Sequence, residues 1–434
     1  MLYAKAKSVG ILLLSGMLLL GGCQSGPKPG DKTTLSVYRV ETDALYMSAL
    51  DTYQKENTQV DLQITTFPSY QDMKDQLNTE LMSGKGPDVL LYNSIAGGDD
   101  TFKLAKSNAF LPLDSYVEAL PSEEYFAEVL EAGKYRDTRY FLPLSWNFLQ
   151  AYTSQKLAEE QGYQGKSLYE VLPAELDRLK NDSANALCSM QFAREDVVNL
   201  VAEISGTPVI SGDGKTLSDP VSFKQSAEFA KLFYDNIPAM QAITQKYKND
   251  FAGATSHLSF LIENYSFLNN LRYYQTLYPE TLGTEAVMYP VGQRQGGLTV
   301  QVIQYGAINA NTKAPDAAWS LLKAIADAPV SMGFSKYEQK QVYYAPVKVS
   351  LYDDCVKELS TQSGPGAKKK SEPLNEANTA LLQQIPGQIT LAVIPNPSVG
   401  ELTESCMTPY LLEGKEFDSC YQDFTNKLAL YIDE

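Results

Sequence analysis

Apolar and polar positions alternate with period two around Leu35 and Val37, as in a half-buried strand, and then fall into helical spacing at Leu45, Ala49 and Tyr53. Period two returns at Val60, Leu62 and Ile64. Met73, Leu77 and Leu81 are again helical, and Gly84 is placed to cap that helix at its carboxyl end. Pro87-Asp88 punctuates, and Val89-Leu90-Leu91-Tyr92 reads as a buried strand. This β-α-β-α-β series predicts an α/β fold with a mostly parallel sheet flanked by helices. Ligands of such sheets sit beyond the carboxyl ends of the strands.

Further along, a helix from about Asp100 to Ser107 is stopped by Asn108, a residue that tolerates the left-handed conformation. Phe110 to Asp114 makes an extended edge. The apolar-aromatic stretch Tyr140 to Tyr152 predicts a strand passing between domains. Helical patterns dominate from Leu168 to Asn236, broken by Leu187-Cys188 and the turn Gly212-Asp213-Gly214. Ala286 to Pro290 and Val300 to Ile308 are extended. Pro315 to Ala328 is a helix with Trp319, Leu322 and Ile325 on one face, which makes Trp319 a core residue. Gln362 to Glu372 reads as an exposed loop, and helices over about Val399 to Leu412 and Phe417 to Ile432 finish the chain.

The first residues carry a different signal. Lys5 and Lys7 precede an apolar run, Val9 to Leu20, and then Gly21, Gly22 and Cys23. A basic start, a short apolar segment and small residues before a cut are the parts of a secretory signal. The run is shorter than the roughly 20 residues a spanning helix needs. Leu20-Gly21-Gly22-Cys23 resembles the bacterial lipobox, which implies a diacylglycerol anchor on Cys23 after removal of residues 1–22. Residues 23–32, rich in Gly, Pro and Ser, then form a tether.

Composition narrows the chemistry. The net charge is −16, and loss of Lys5 and Lys7 makes the body more acidic still, which argues against nucleic-acid binding. His257 is the one histidine, so a zinc site built from several histidines is impossible, and a structural role is expected for it. Cys188, Cys355, Cys406 and Cys420 allow three disulfide connectivities in an exported chain. Cys406 and Cys420 flank a turn between two helical stretches, which favours that pair.

Several segments resemble the bacterial ABC-transporter extracellular solute-binding proteins of the sugar type, family 1, to which maltose-binding protein belongs. "LNTELMSGKGPDVL" (77–90) is similar to the family's helix–Gly–x–x–Pro-Asp-Val element, and "SNAFLPLDSYV" (107–117) to its edge strand, with Asn108 in place of the usual glycine. "RYFLPLSWNFLQAYTSQKLAEEQG" (139–162) resembles its first crossover, with Thr153 and Ser154 departing from the usual "YNK". "GAINANTKAPDAAWSLLKAI" (306–325), Tyr344-Ala345-Pro346 and the ending "LLEGKEFDSCYQDFTNKLALYI" complete the resemblance over nearly the whole chain.

The resemblance implies a two-lobe periplasmic-binding-protein-like α/β fold (type II). Three crossings would fall at about Leu144 to Phe148, Met288 to Gly292 and Tyr343 to Val347. Lobe 1 would hold 33–144 plus 292–342, and lobe 2 would hold 145–291 plus 343–434, with all four remaining cysteines in lobe 2. The partners implied are a small solute, with a carbohydrate first, and the permease subunits of an ABC importer in the membrane. A lipid-anchored monomer on the extracytoplasmic side is expected, with no cofactor, metal or catalytic residue.

A sugar wants flat aromatic rings with amides and carboxylates at their rims, and the chain holds 28 Tyr, 16 Phe and 2 Trp. Trp146, beside Asn147 at the first crossing, is either a stacking platform or a hinge-core aromatic. Tyr92 and Asn93 end a buried strand where a ligand-facing loop is expected. Glu41 and Asp43 follow the first strand and can accept hydroxyl protons, although Asp43 is equally suited to cap the next helix. Asn264 and Tyr265 resemble the family position where the second lobe meets the ligand. Gln191 and Gln304 lie near expected strand ends, and Tyr344 lies at the last crossing. Two other classes compete: an exported glycan-active enzyme, which needs two carboxylates across one cleft, and a surface adhesin. Among binding proteins, a polyamine or peptide-like solute is the alternative to a sugar.

Overall fold

In the computed structural model the described residues are 32–41, 45–94, 101–182, 184–188, 206, 220–248, 250–263, 268, 270–290, 292–293, 296–328, 333–335, 340–342, 344–364 and 371–433. The chain opens with β1 (Thr33–Val40), α1 (Leu45–Glu56), β2 (Val60–Phe67), α2 (Tyr70–Met82), β3 (Val89–Asn93) and α3 (Thr101–Lys106). There follow α4 (Asp114–Glu118), α5 (Ala127–Glu131), the hairpin β4 (Lys134–Tyr135) and β5 (Thr138–Arg139), and β6 (Phe141–Asn147). The next block is β7 (Gln150–Ser154), α6 (Gln155–Glu160), α7 (Leu168–Leu179), β8 (Ala186–Cys188), α8 (Pro220–Asp235), α9 (Ile237–Lys246), α10 (Phe251–Thr255), β9 (Leu258–Glu263), α11 (Asn270–Leu282) and β10 (Ala286–Pro290). The chain returns with β11 (Leu298–Ile308), α12 (Pro315–Ala326), the hairpin β12 (Gly333–Ser335) and β13 (Lys340–Val342), β14 (Ala345–Pro346), α13 (Val349–Thr361), α14 (Glu376–Gln384) and β15 (Ile389–Val393). It ends in α15 (Pro397–Glu413) and α16 (Phe417–Asp433).

Local chemistry sets these boundaries. Ser69 caps α2 by accepting from the Asp72 N–H, and Asn108 follows α3 in the left-handed region at φ 58°. Ser167 and Glu170 form a reciprocal capping box on α7. Asn396 caps α15, Pro397 starts it, and Gly414 ends it at φ 73°.

Two sheets result. The first runs β14-β6-β11-β3-β1-β2, with β15 also paired to β11; the second runs β10-β7-β9-β8. The expected parallel character holds where β1 pairs with β2 and β3. It gives way elsewhere, and the sheets are mixed. β11 is antiparallel to both β3 and β6, and in the second sheet only β8 and β9 are parallel. The reason is the path: strands that return from the other sheet run back against those that left.

Side-chain alternation divides the cores. On the second sheet Ala151, Ile262 and Tyr289 face a core built with α7, α8, α9, α15 and α16. Their neighbours Tyr152, Leu261 and Met288 face α11 and join the apolar cluster of the first sheet. That cluster also contains Tyr352, Cys355, Leu359, Leu382 and Ile389. Residues 345–394 pack with this cluster, which α11 and one face of the second sheet share, and β15 of that segment, expected in lobe 2 with the rest of 343–434, pairs with β11 of the first sheet. The chain passes to the second core only between Ile394 and Val399. The cause is β15, which pairs in parallel with the start of β11 and holds the segment there.

The pairings of β11 place two strands end to end. Gln301 lies between Asn147 of β6 and Val393 of β15, and Gln304 lies between Ser145 of β6 and Asn93 of β3. β15 and β3 thus occupy the same flank of β11. One is parallel to it and the other antiparallel, so their carboxyl ends face each other.

The four cysteines Cys188, Cys355, Cys406 and Cys420 are buried free thiols, so the expected Cys406–Cys420 bridge is not formed. Cys406 Sγ lies 3.7 Å from Lys427 Nζ instead. Cys188 packs against Met240, and burial pushes its thiol up to about 12. No described helix is long and apolar enough to cross a membrane.

Candidate site at the junction of the two sheets

The first crossing takes two residues. β6 of the first sheet ends at Asn147 and β7 of the second begins at Gln150, with Phe148 and Leu149 between them. Polar side chains flank this point inside otherwise apolar strands: Ser145 and Asn147 on β6, Gln150 on β7, and Gln301 and Gln304 on β11 are all buried. Gln304 accepts from Ser145 Oγ at 2.9 Å, while its Nε2 has no partner. Gln150 accepts from the Tyr152 hydroxyl, and its Nε2 likewise has none. Asn147 has no partner at either amide atom. A buried amide without a partner costs free energy, so such groups mark places where something else is to be bound or rearranged.

The carboxyl ends of β1 and β3 approach this junction. Glu41 is exposed just after β1, and its N–H donates to Phe67 O at 2.8 Å. Asn93 is buried, and its N–H donates to the Tyr70 hydroxyl. Ser94 Oγ donates to Val302 O at 2.8 Å, fastening the end of β3 to β11. Tyr92 lies beneath, fully buried and stacked on Tyr305 with centroids 5.2 Å apart. It supports the edge and does not face a groove.

Trp146 has the hinge-core role of the two its sequence position allowed. It is fully buried, its Nε1–H donates to Pro346 O at 3.0 Å, and its ring stacks on Tyr352 at 5.6 Å with Phe126 edge-on at 5.7 Å. No face is left for a sugar ring. Tyr344 is half-buried beside β14, which pairs with β6 at Trp146. Trp319 is partly buried and stacks on Tyr116 at 5.1 Å. Asp43, Gln191, Asn264 and Tyr265, like Cys23, lie outside the described residues.

The charged clusters elsewhere in the two lobes are structural. Asp327, after α12, accepts from Tyr125 Oη at 2.5 Å, from Lys348 Nζ at 3.0 Å and from Lys323. Burial raises its pKa, but these three donors outweigh burial and hold the carboxyl below the usual range. Glu175 is fully buried in the second lobe and accepts from Tyr163 at 2.7 Å, Arg178 Nε at 2.8 Å and Ser259. Burial again opposes ionisation, and the donors again win. His257 is held between Asn185 Oδ1 at 3.2 Å and Tyr247 Oη at 2.6 Å, the structural role expected for it. Among the described residues no group of His, Cys, Asp and Glu is arranged to hold a metal ion.

Of the residues at this junction, the sequence singled out Asn147, Gln304 and Asn93 and passed over Ser145, Gln150 and Gln301. The usable signal was polarity out of place: an amide or hydroxyl recurring inside the apolar-aromatic stretch Tyr140 to Tyr152 and inside β11.

This architecture is shared with solved structures. A sugar-binding protein, MalE, from the phytopathogen Xanthomonas citri superposes with a TM-score of 0.66 at 14% identity, covering 92% of this chain and 98% of its own. An extracellular solute-binding protein family 1 structure from Alicyclobacillus acidocaldarius gives 0.59 at 14%, covering 93% and 99%. An ABC substrate-binding protein from Listeria monocytogenes, in complex with cycloalternan, gives 0.59 at 11%, covering 93% and 100%. No curated protein sequence matches. The family described as bacterial extracellular solute-binding protein matches residues 38–331, well over half of the 434. With two sheets, three crossings and that match, the chain belongs to the bacterial extracellular solute-binding protein family.

Proposed function

We propose that this protein captures a neutral, hydroxyl-rich solute, a mono- or oligosaccharide, between its two lobes and hands it unaltered to the permease subunits of an ABC importer. The observation that carries the reading is the set of uncharged hydrogen-bonding groups at the junction. Asn147, Gln150 and Gln304 offer amide donors and acceptors without a compensating carboxylate or ammonium among them. Amides pair well with hydroxyls, as do the carboxylates expected at the rim, and no carboxylate stands among the three amides to fix an ammonium ion there. Closure of two lobes on a ligand removes water and strengthens such bonds.

In this reading the solute lies beyond the carboxyl ends of β1 and β3. Glu41, Asp43, Asn93 and Tyr344 would serve at its rim, Asn147 and Gln304 at its floor, and Gln191, Asn264 and Tyr265 from the second lobe. Trp146 and Tyr92 act behind this layer by fixing the strands. The sugar-bound Listeria relative supports the solute class. The lipobox-like Leu20 to Cys23 supports a lipid anchor on the outer face of the membrane; the protein acts there as a monomer, with no bond in the solute made or broken.

A thermal-shift panel of glucose, maltotriose, cellotriose, spermidine and a tetrapeptide tests this. A ligand present at a hundred times its Kd adds about 2.7 kcal/mol to the native state. A rise in Tm with a saccharide that is recovered intact supports the proposal. A rise with spermidine alone, or hydrolysis of the saccharide, overturns it.

A further inference from the structure

β3 and β15 end against each other, so the segments leaving them set out from one place. α3 follows β3 and packs in the first core, while α15 and α16 follow β15 and pack in the second. Two lysines of α3 span the gap. Lys103 Nζ sits 4.5 Å from the centroid of the Tyr431 ring. Lys106 Nζ donates to Ile432 O at 2.9 Å and to Asp433 O at 3.3 Å. Tyr431 Oη is joined in turn to Asn396 Nδ2 at 3.0 Å, and Asn396 Oδ1 caps α15 by accepting from the Val399 N–H at 3.2 Å.

The electrostatics favour this arrangement. The free carbonyls at the carboxyl end of a helix are its negative pole, and an ammonium ion is stabilised there. α16 has no basic residue in its own last turn, so the cations come from α3. An aromatic face adds a second attraction for Lys103.

We propose that Lys103 and Lys106 form a latch between the lobes, which holds α16 and the third crossing against α3 and so sets the interlobe angle. The inference rests on the reading that the lobes close on a solute. In the latched arrangement four amide atoms at the junction lack partners, which marks it as the state that closure improves. The latch therefore opposes closure. It is also wired to the site, because α3 is the first described α-helix after Asn93 and Ser94.

The test needs no solute. Spin labels placed by Glu56→Cys and Lys415→Cys in the mature chain report the separation of α1 from the loop after α15. The Lys103→Met, Lys106→Met double variant is expected to move the distance distribution to shorter values, and the Lys103→Arg, Lys106→Arg variant to keep the parent distribution. Any saccharide that the thermal panel finds should bind the Met variant about five-fold more tightly, as two helix-end contacts of this kind allow. An unchanged distribution, or a shift to longer distances, overturns the latch. Failure of every saccharide in the panel would overturn the solute assignment and leave the distance measurement decisive for the latch.

Discussion

Gln304 accepts a hydrogen bond from Ser145 at 2.9 Å, and this pair closes a polar row that β3, β11 and β6 carry across the first sheet to the crossing. The β11 register shifts on both sides of Gln304, so the strand bends where this pair forms. Beyond it, Asn147 and Gln150 leave amide atoms unpartnered at the two ends of the crossing. The junction therefore trades stability for hydrogen-bonding capacity.

Asn147→Leu measures that trade. Removing a buried amide that has no partner should raise the stability of the solute-free protein by about 1 kcal/mol. Solute affinity should fall by ten-fold or more. Urea denaturation and calorimetric titration with the solute found in the thermal panel check the two halves.

Glu175 contributes to the pH dependence of the second lobe. Its carboxyl, and that of Asp327, are held below their unfolded values by hydrogen-bond donors. A lowered folded pKa stabilises above the unfolded pKa and loses that contribution as pH falls through the folded one. Stability should therefore decline below about pH 5, and Glu175→Gln should show a flatter acid limb. At pH 7 Glu175→Ala should cost about 2 to 3 kcal/mol, at or below the usual range for a broken buried pair because Arg178 is 36% exposed.

Gly133 meets its neighbour at backbone, which cannot move aside. An added Cβ would lie 2.0 Å from the Phe141 carbonyl oxygen at the root of β6. Gly133→Ala should destabilise by about 2 kcal/mol or more, read by thermal denaturation.

Thiol titration checks the cysteines. The folded mature body should react slowly at Cys188, Cys355, Cys406 and Cys420, and all four should titrate in denaturant without a reducing agent. If only two of the four titrate, one disulfide exists.

Much of this fold was legible because periodicity reports burial. The β-α-β-α-β start, the stop at Asn108 and the limits of β10 follow from local pattern and backbone preference. The destination of residues 345–394 was not legible. It depends on β15 pairing with a strand about ninety residues earlier, and pairing partners leave no local trace. Trp146 was half legible: its place at the crossing could be read, but whether its face was covered depended on Tyr352 and Phe126. Nothing in the local sequence singles out Lys103 and Lys106, because their partner is the distant end of α16.

The head-to-head meeting of β3 and β15 bears on how the molecule is made. The sheet begun at Thr33 lacks β15 until Ile389 to Val393 arrive, far along the chain. A chain threaded outward from its amino end would emerge with that sheet unfinished for nearly its whole length. Until β15 is made, the flank of β11 that receives it stays open, and the first sheet reaches its full pairing only when residues 389–393 are in place.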